Sequence, residues 1–209
     1  MNYILFTTLA TLGFLHPVLA QSHDTRFAGL SLPLGVKVEV PTNWWILSGD
    51  INASIETAGE AAVNLAGLDV RSGRKTNLFR ANSMPKTTYA GIAINASDAE
   101  VEASDIRAAS AADLAEMTPM MKEMMERSLS QVGLSIIEFY PIEKREIDGR
   151  PALVISYKRT GPQGAVIARM TRLVVGHKEI SLNLSYRESE SVLWKPIIGY
   201  MEKSLKFQK

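Results

Sequence analysis

The stretch 148–176, DGRPALVISYKRTGPQGAVIARMTRLVVG, is cut by its glycines into two apolar-rich runs, PALVISYKRT and AVIARMTRLVVG. Branched and aromatic side chains dominate both runs and pack well on a pleated surface, so each is expected as a strand. Asp148-Gly149 and Gly161-Pro162-Gln163-Gly164 supply turn chemistry at their ends. Asp-Gly is a strong hairpin signal, because glycine takes the positive φ that a tight turn demands. Strand composition continues outward in LSIIEFYPIEKREI, 134–147, and in HKEISLNLSYR, 177–187, the latter entered through Gly176-His177. Four strands joined by short turns predict an antiparallel meander.

On both sides of the meander the period changes from two to about 3.6. Downstream, in ESESVLWKPIIGYMEKSLKF over 188–207, Trp194, Ile197, Ile198, Met201 and Leu205 form one apolar stripe. That predicts a C-terminal helix packed on the sheet. Upstream, ADLAEMTPMMKEMMERSLSQVG predicts a second helix, capped at Ser104 or Ser110 and ended by Gly133. Pro119 inside it predicts a kink or a break, with Thr118 restarting the helix as a cap. Residues 117–125 hold five of the nine methionines. At about 100° per residue, Met117, Met120, Met121, Met124 and Met125 share one arc of roughly 140°, opposite Lys122, Glu123, Glu126 and Arg127. Leu114, Leu129 and Val132 extend that stripe, so the face is read as core. Two other readings attach to it. Thioethers are soft ligands that select copper(I), which would use Met117, Met120, Met121 and Met124. Methionine also suits adaptable binding surfaces, which would use Met120, Met121, Met124 and Met125 to dock a partner.

Nearer the N-terminus, Val36, Val38 and Val40 alternate with charged residues in a strand over 35–41, closed by proline. Trp44-Trp45-Ile46-Leu47 has strand composition with its two indoles on opposite faces. INASIETAGEAAVNLAGL favours a helix over about 50–68, and strands over 76–83 and 88–96 form a hairpin around Asn82-Ser83-Met84-Pro85. Arg71, Arg74, Lys75 and Arg80 cluster where this hairpin begins. They read as a solvated connection or, alternatively, as an anion-binding loop.

Residues 1–20 carry no charged side chain, hold an apolar run from Tyr3 to Leu15 and end in Val18-Leu19-Ala20. A secretory signal peptide cut before Gln21 is expected, leaving a periplasmic or secreted chain without a stable membrane anchor. Residues 21–34 are read as a surface segment and 35–209 as one domain. Cysteine is absent and the net charge is +1, so stability must come from packing, and no net field recruits nucleic acid. The inventory for catalysis is thin. Beyond residue 20 only His23 and His177 are available, and no G-x-S-x-G accompanies them. His177 and Glu179 share a strand face at two-residue spacing, which reads as a solvated turn rather than a metal site. No cofactor is expected.

The order of these elements, with the motifs Val40-Pro41-x-x-Trp44, Asp148-Gly149-x-Pro151-Ala152-Leu153 and Pro196-Ile197-Ile198-x-x-Met201-Glu202-Lys203-Ser204-Leu205, resembles the PsbP-like superfamily. The resemblance covers roughly residues 34–207. That superfamily includes extrinsic subunits of the oxygen-evolving complex, a Ran-binding nuclear import factor and DcrB-type bacterial envelope proteins. It implies an α/β sandwich, a central antiparallel sheet of about six strands with helices on both faces. It also implies a non-enzymatic protein that binds macromolecules, here another envelope or secreted protein. The shared motifs mark turns, strands and core, so no functional residue is carried over. A periplasmic copper(I)-binding protein is the alternative expectation and a hydrolase the third.

Overall fold

Alternating burial along Val36-Lys37-Val38-Glu39-Val40 is the pattern of a strand with one face in the core, and the chain folds it that way. The computed structural model describes residues 25–47 and 76–208. The expected signal peptide, the helix over 50–68 and Arg71, Arg74 and Lys75 lie outside the described residues. In chain order the described elements begin with strands β1 (Phe27–Ser31), β2 (Val36–Pro41), β3 (Trp45–Ile46), β4 (Thr76–Asn82) and β5 (Ala90–Asp98). Helices α1 (Ala103–Ala108) and α2 (Ala111–Ser130) follow, then β6 (Ile136–Phe139), β7 (Glu143–Ile147), β8 (Arg150–Arg159), β9 (Val166–Val175) and β10 (Lys178–Arg187). Helix α3 (Ser191–Ser204) and the short β11 (Lys206–Phe207) close the chain.

The meander forms as the turns predict. β8, β9 and β10 pair antiparallel in succession, and β10 continues the sheet into the β4–β5 hairpin. Asp148 and Gly149 take φ values of 49° and 75° at the β7–β8 turn, the left-handed pair that a two-residue hairpin needs. The expected sheet of about six strands is too small. The large sheet has eight strands, in the order β3-β4-β5-β10-β9-β8-β6 with β7 also on β8, and β1, β2 and β11 make a separate three-stranded sheet. The physical reason lies in the loop at 140–142, where the single run expected over 134–147 breaks into β6 and β7. Proline at position 141 cannot donate to a ladder, and the two pieces pair with different ends of β8. β1 lies inside the segment read as surface, and its Phe27 and Leu30 pack on the core.

Two buried clusters occupy residues of opposite parity along β9, and therefore opposite faces of the large sheet. Leu173 joins Ile92, Ile94, Leu182 and Leu184 with Trp194, Ile198 and Met201 of α3 and the valines of β2. Ala168 and Met170 join Ile155 and Tyr157 with Met125 and Leu129 of α2. Trp44 meets Trp194 edge-on in the first cluster, with ring centroids 5.8 Å apart. Trp45 stands outward under the Lys86 ammonium, as opposite-facing indoles require. Capping divides the helical region: Glu102 boxes with Asp105 at α1 and Ser110 with Asp113 at α2. The break expected at Pro119 does not occur, and α2 runs unbroken through it. Thr118 donates its hydroxyl to the Leu114 carbonyl at 2.8 Å instead of opening a new helix.

Candidate functional site

Helix α2 sets out its methionines in two groups. Met125 is 2 % exposed and, with Leu129, lies inside the second cluster, while Leu114, Met117 and Met121 pack on it partly buried. Met120 is 55 % exposed, and Met124 beside it is half-buried. The arc drawn from the sequence was therefore too wide to be core throughout. Leu114, Met121, Met125 and Leu129 define the buried centre, and at about 100° per residue Met120 stands roughly 100–140° away from Met121 and Met125. The partner face expected from Met120, Met121, Met124 and Met125 is open at Met120 and closed at Met125. Of the four residues of the copper(I) reading, Met117 and Met121 pack on the second cluster, Met124 is half-buried and Met120 is exposed. Among the described residues no group of three or more His, Asp or Glu side chains could hold a metal ion.

The second concentration of polar chemistry was not assembled by sequence reading. On the sheet face that carries Met170, the register aligns Asn82, Gly91, Ser185, Ala168 and Tyr157 across β4, β5, β10, β9 and β8. The next line is Arg80, Ala93, Asn183, Met170 and Ile155, and the one beyond is Asn77, Asn95, Ser181, Arg172 and Leu153. In the β8–β9 half of this face Leu153, Ile155, Tyr157, Ala168 and Met170 belong to the α2 cluster. The β4–β5–β10 half is small and polar, yet it is buried: Arg80 is 3 % exposed, Ala93 7 %, and Ser181 and Ser185 6 % each. Asn77 Oδ1, Asn82 Oδ1 and Asn183 Nδ2 are buried there without a hydrogen-bond partner. A Cβ on Gly91 would stand 3.0 Å from Asn82 Oδ1, so a larger residue there would crowd that amide.

Arg80, assigned by sequence to a basic connection, instead projects onto this face from within β4. Burial pushes its guanidinium below its ordinary pKa, and Tyr89 pushes the other way. Arg159, also 3 % exposed, donates to the Thr160 carbonyl at 2.9 Å and to the Tyr89 hydroxyl at 3.4 Å. That hydroxyl lies 3.0 Å from Ser185 Oγ, which links Arg159 to this face. The flanking carboxylates are already engaged. Glu179 takes two bonds from Arg172, and Glu190 holds Arg187, the Tyr89 amide and the Trp194 indole. His177, the one histidine among the described residues, is exposed in the β9–β10 turn, where its carbonyl accepts from the Ala99 amide. The signal that could have found this polar half-face is the run of Asn and Ser at alternate positions in LNLS and in INAS of β5, facing Arg80.

No family model matches the chain, and no curated protein matches it. Among solved structures it is similar to cyanobacterial PsbP (CyanoP) from Synechocystis sp. PCC 6803, with 13 % identity, 96 % of this chain and 99 % of that chain covered, and a TM-score of 0.54. It is also similar to LpqN, involved in cell envelope biogenesis of Mycobacterium tuberculosis, with 7 % identity, 89 % and 92 % coverage and a TM-score of 0.47. The fold is PsbP-like, as the order of elements implied.

Proposed function

We propose that this chain is an exported, non-enzymatic accessory protein of the bacterial envelope that works by binding another envelope or secreted protein. Its architecture is read as an α/β sandwich with α2 and α3 on the two faces of the large sheet. The observation that carries the functional reading is the PsbP-like fold, spanning nearly all of this chain and of CyanoP, joined to an uncharged apolar start typical of exported chains. On this reading residues 1–20 are removed on export, and the margin of α2 around Met120 supplies an adaptable apolar contact. Affinity capture from a native envelope fraction tests it. A photo-crosslinking residue at position 120 should trap a discrete protein partner, and Met120→Glu should abolish the capture. Turnover of a substrate by the purified chain, or a partner bound equally well by the variant, would sink the proposal.

A second reading, copper(I) binding, is favoured by one feature: Met117, Met120, Met121 and Met124 recur at helical spacing along a margin that is half-buried to exposed. Titration against a competing copper(I) chelator separates the two readings, since leucine at these positions offers no ligand atom.

A further inference from the structure

We infer that one end of the large sheet, where the β4–β5 hairpin turns and α3 begins, is a shallow docking surface for an anionic lipid bilayer, with Trp45, Met84 and Val192 entering the interface and Lys86 and Lys195 facing the headgroups. The inference does not rest on the partner-binding reading, which uses α2. Four connections meet at this end. Trp45 pairs with Asn82, and the Lys86 ammonium lies 4.5 Å from the Trp45 ring centroid, so 42–46 and 83–89 are neighbours. Arg187 fastens the others: its guanidinium donates to the Thr87 carbonyl at 3.0 Å, to Gln163 Oε1 at 2.5 Å and to Glu190. Glu190 in turn accepts from the Tyr89 amide at 2.8 Å. The tips are therefore braced against one another.

Apolar side chains project from this platform. Val192 is 95 % exposed, Trp45 40 % and Met84 39 %. Scattered singly such residues carry no message, but these gather at one end. Val192 stands in the first turn of α3, where side chains lean toward the helix N-terminus and so toward this end, and Lys195 follows it three residues on along the same helix face. Charge selects the surface. Residues 42–46, 83–89, 160–165 and 188–195 contain four charged side chains, Lys86, Glu188, Glu190 and Lys195. Both carboxylates are engaged, Glu188 by Lys158 at 2.7 Å and Glu190 by Arg187. Among the described residues Lys86 and Lys195 have no carboxylate partner. What remains is indole and aliphatic surface beside two ammonium groups, a combination that suits a bilayer interface, with the ring at headgroup depth and each lysine stem along the apolar surface. The apolar groups stand on tips of separate segments, and a fluid surface conforms to such points where a rigid protein would need a matching hollow for each. No described helix is long and apolar enough to cross a membrane, so the contact inferred is peripheral.

Vesicle flotation of the chain purified from the native host tests this. Phosphatidylcholine vesicles, with or without about a third phosphatidylglycerol, are supplied at about 5 mM lipid, because two lysines and a few apolar groups give at most about 10⁴ M⁻¹. Anionic vesicles should carry up most of the chain and neutral ones little, and about 0.5 M salt should release it. Trp44 and Trp194 are buried, so quenching of tryptophan emission by brominated lipid should come from Trp45 and be lost in Trp45→Phe. Lys86→Glu should weaken the partition at least about fivefold. Val192→Asp places an acid where the start of a helix favours one, which leaves folding intact, and should weaken the partition by a similar factor. Comparing variants within the same chain cancels any pull from residues 1–20. The inference is overturned if anionic vesicles float no more chain than neutral ones, if both charge variants float as well as the parent, or if Trp45→Phe leaves the quenching unchanged. A protein crosslinked through position 192 in an envelope fraction, with no vesicle binding, would likewise overturn it and assign this end to a protein.

Discussion

Thr118 and Pro119 are read from sequence as a kink or a break, and one hydroxyl ties the continuous helix to its neighbour. Proline removes an amide donor and crowds the carbonyl one turn back. The Thr118 hydroxyl donates to the Leu114 carbonyl and also accepts from the Ile142 amide at 3.2 Å, tying α2 to the loop between β6 and β7. Thr118→Val keeps the shape and loses the acceptor, so urea denaturation should show a loss of about 1–2 kcal/mol. Unchanged stability would mean that the Ile142 amide finds another acceptor. Asp148 plays a comparable part at the other end of the sheet. Beyond its turn, its Oδ2 accepts from the Phe207 amide at 2.8 Å and pins β11. That backbone bond, with Lys206 assisting, holds its carboxyl below the ordinary value of 3.8. A depressed carboxylate contributes its stabilisation above the unfolded pKa, and the contribution is lost as pH falls through the folded pKa. The protection of the Phe207 amide, its exchange rate relative to the unfolded chain at the same pH, should therefore be high at neutral pH and fall on acidification below about pH 4. In Asp148→Asn that step should be absent from the pH profile, and a parental profile in the variant would refute the assignment.

At the scale of elements, period and turn chemistry carried most of the information. The meander was legible because Asp148-Gly149 and Gly176-His177 end runs long enough for strand composition to stand out. The stripe of α3 was legible because Trp194, Ile198 and Met201 fall on one helical face, and all are buried. Removing the chain from Ser191 onward takes these residues, Leu205 and Phe207 out of the first cluster. Large buried side chains contribute about 1.5–3 kcal/mol each, against a total stability of about 5–15 kcal/mol. The truncated chain should lose cooperative unfolding by calorimetry, and a sharp melt at the parental temperature would contradict the packing described. Helix α2 makes a graded prediction. Met117, Met121 and Met125 changed together to leucine should cost less than about 1.5 kcal/mol per site, whereas Met120→Gln, at an exposed position, should stay within about 0.5 kcal/mol. A larger loss at Met120 than at Met125 in chemical denaturation would reverse the assignment of the two groups.

For the molecule as a whole, the proposed export follows from residues 1–20, and mass spectrometry of protein from the native host should find Gln21 at the N-terminus. Recovery of intact Met1 in the soluble cytoplasm would remove the compartment from the proposal. The strand count went astray at this scale. β3 falls within the run read as a strand over 44–47, whereas β11 has two residues, too few to show any period, and lies in the segment read as the end of the C-terminal helix. β11 lies on β2 only because α3 returns the chain there, with the Ser204 hydroxyl accepting from the Glu39 amide.

By itself the sequence determined the strands β8, β9 and β10 and the β4–β5 hairpin, where the meander turns and which stripe of α3 is apolar, because each follows from side chains within a few residues of one another. It also determined that no cysteine contributes to stability. Only the tertiary structure decided that the sheet has eight strands with a second sheet beside it, that the methionines divide between core and margin, and that Arg80 is buried on a sheet face. Those outcomes depend on which strands become neighbours. Asn82, Gly91 and Ser185 stand in one line through pairings of β4 with β5 and of β5 with β10, and β10 lies some ninety residues from β5 in the chain. No local pattern encodes that adjacency, since the side chains that share this face meet only after the hairpin and the meander have closed into one sheet.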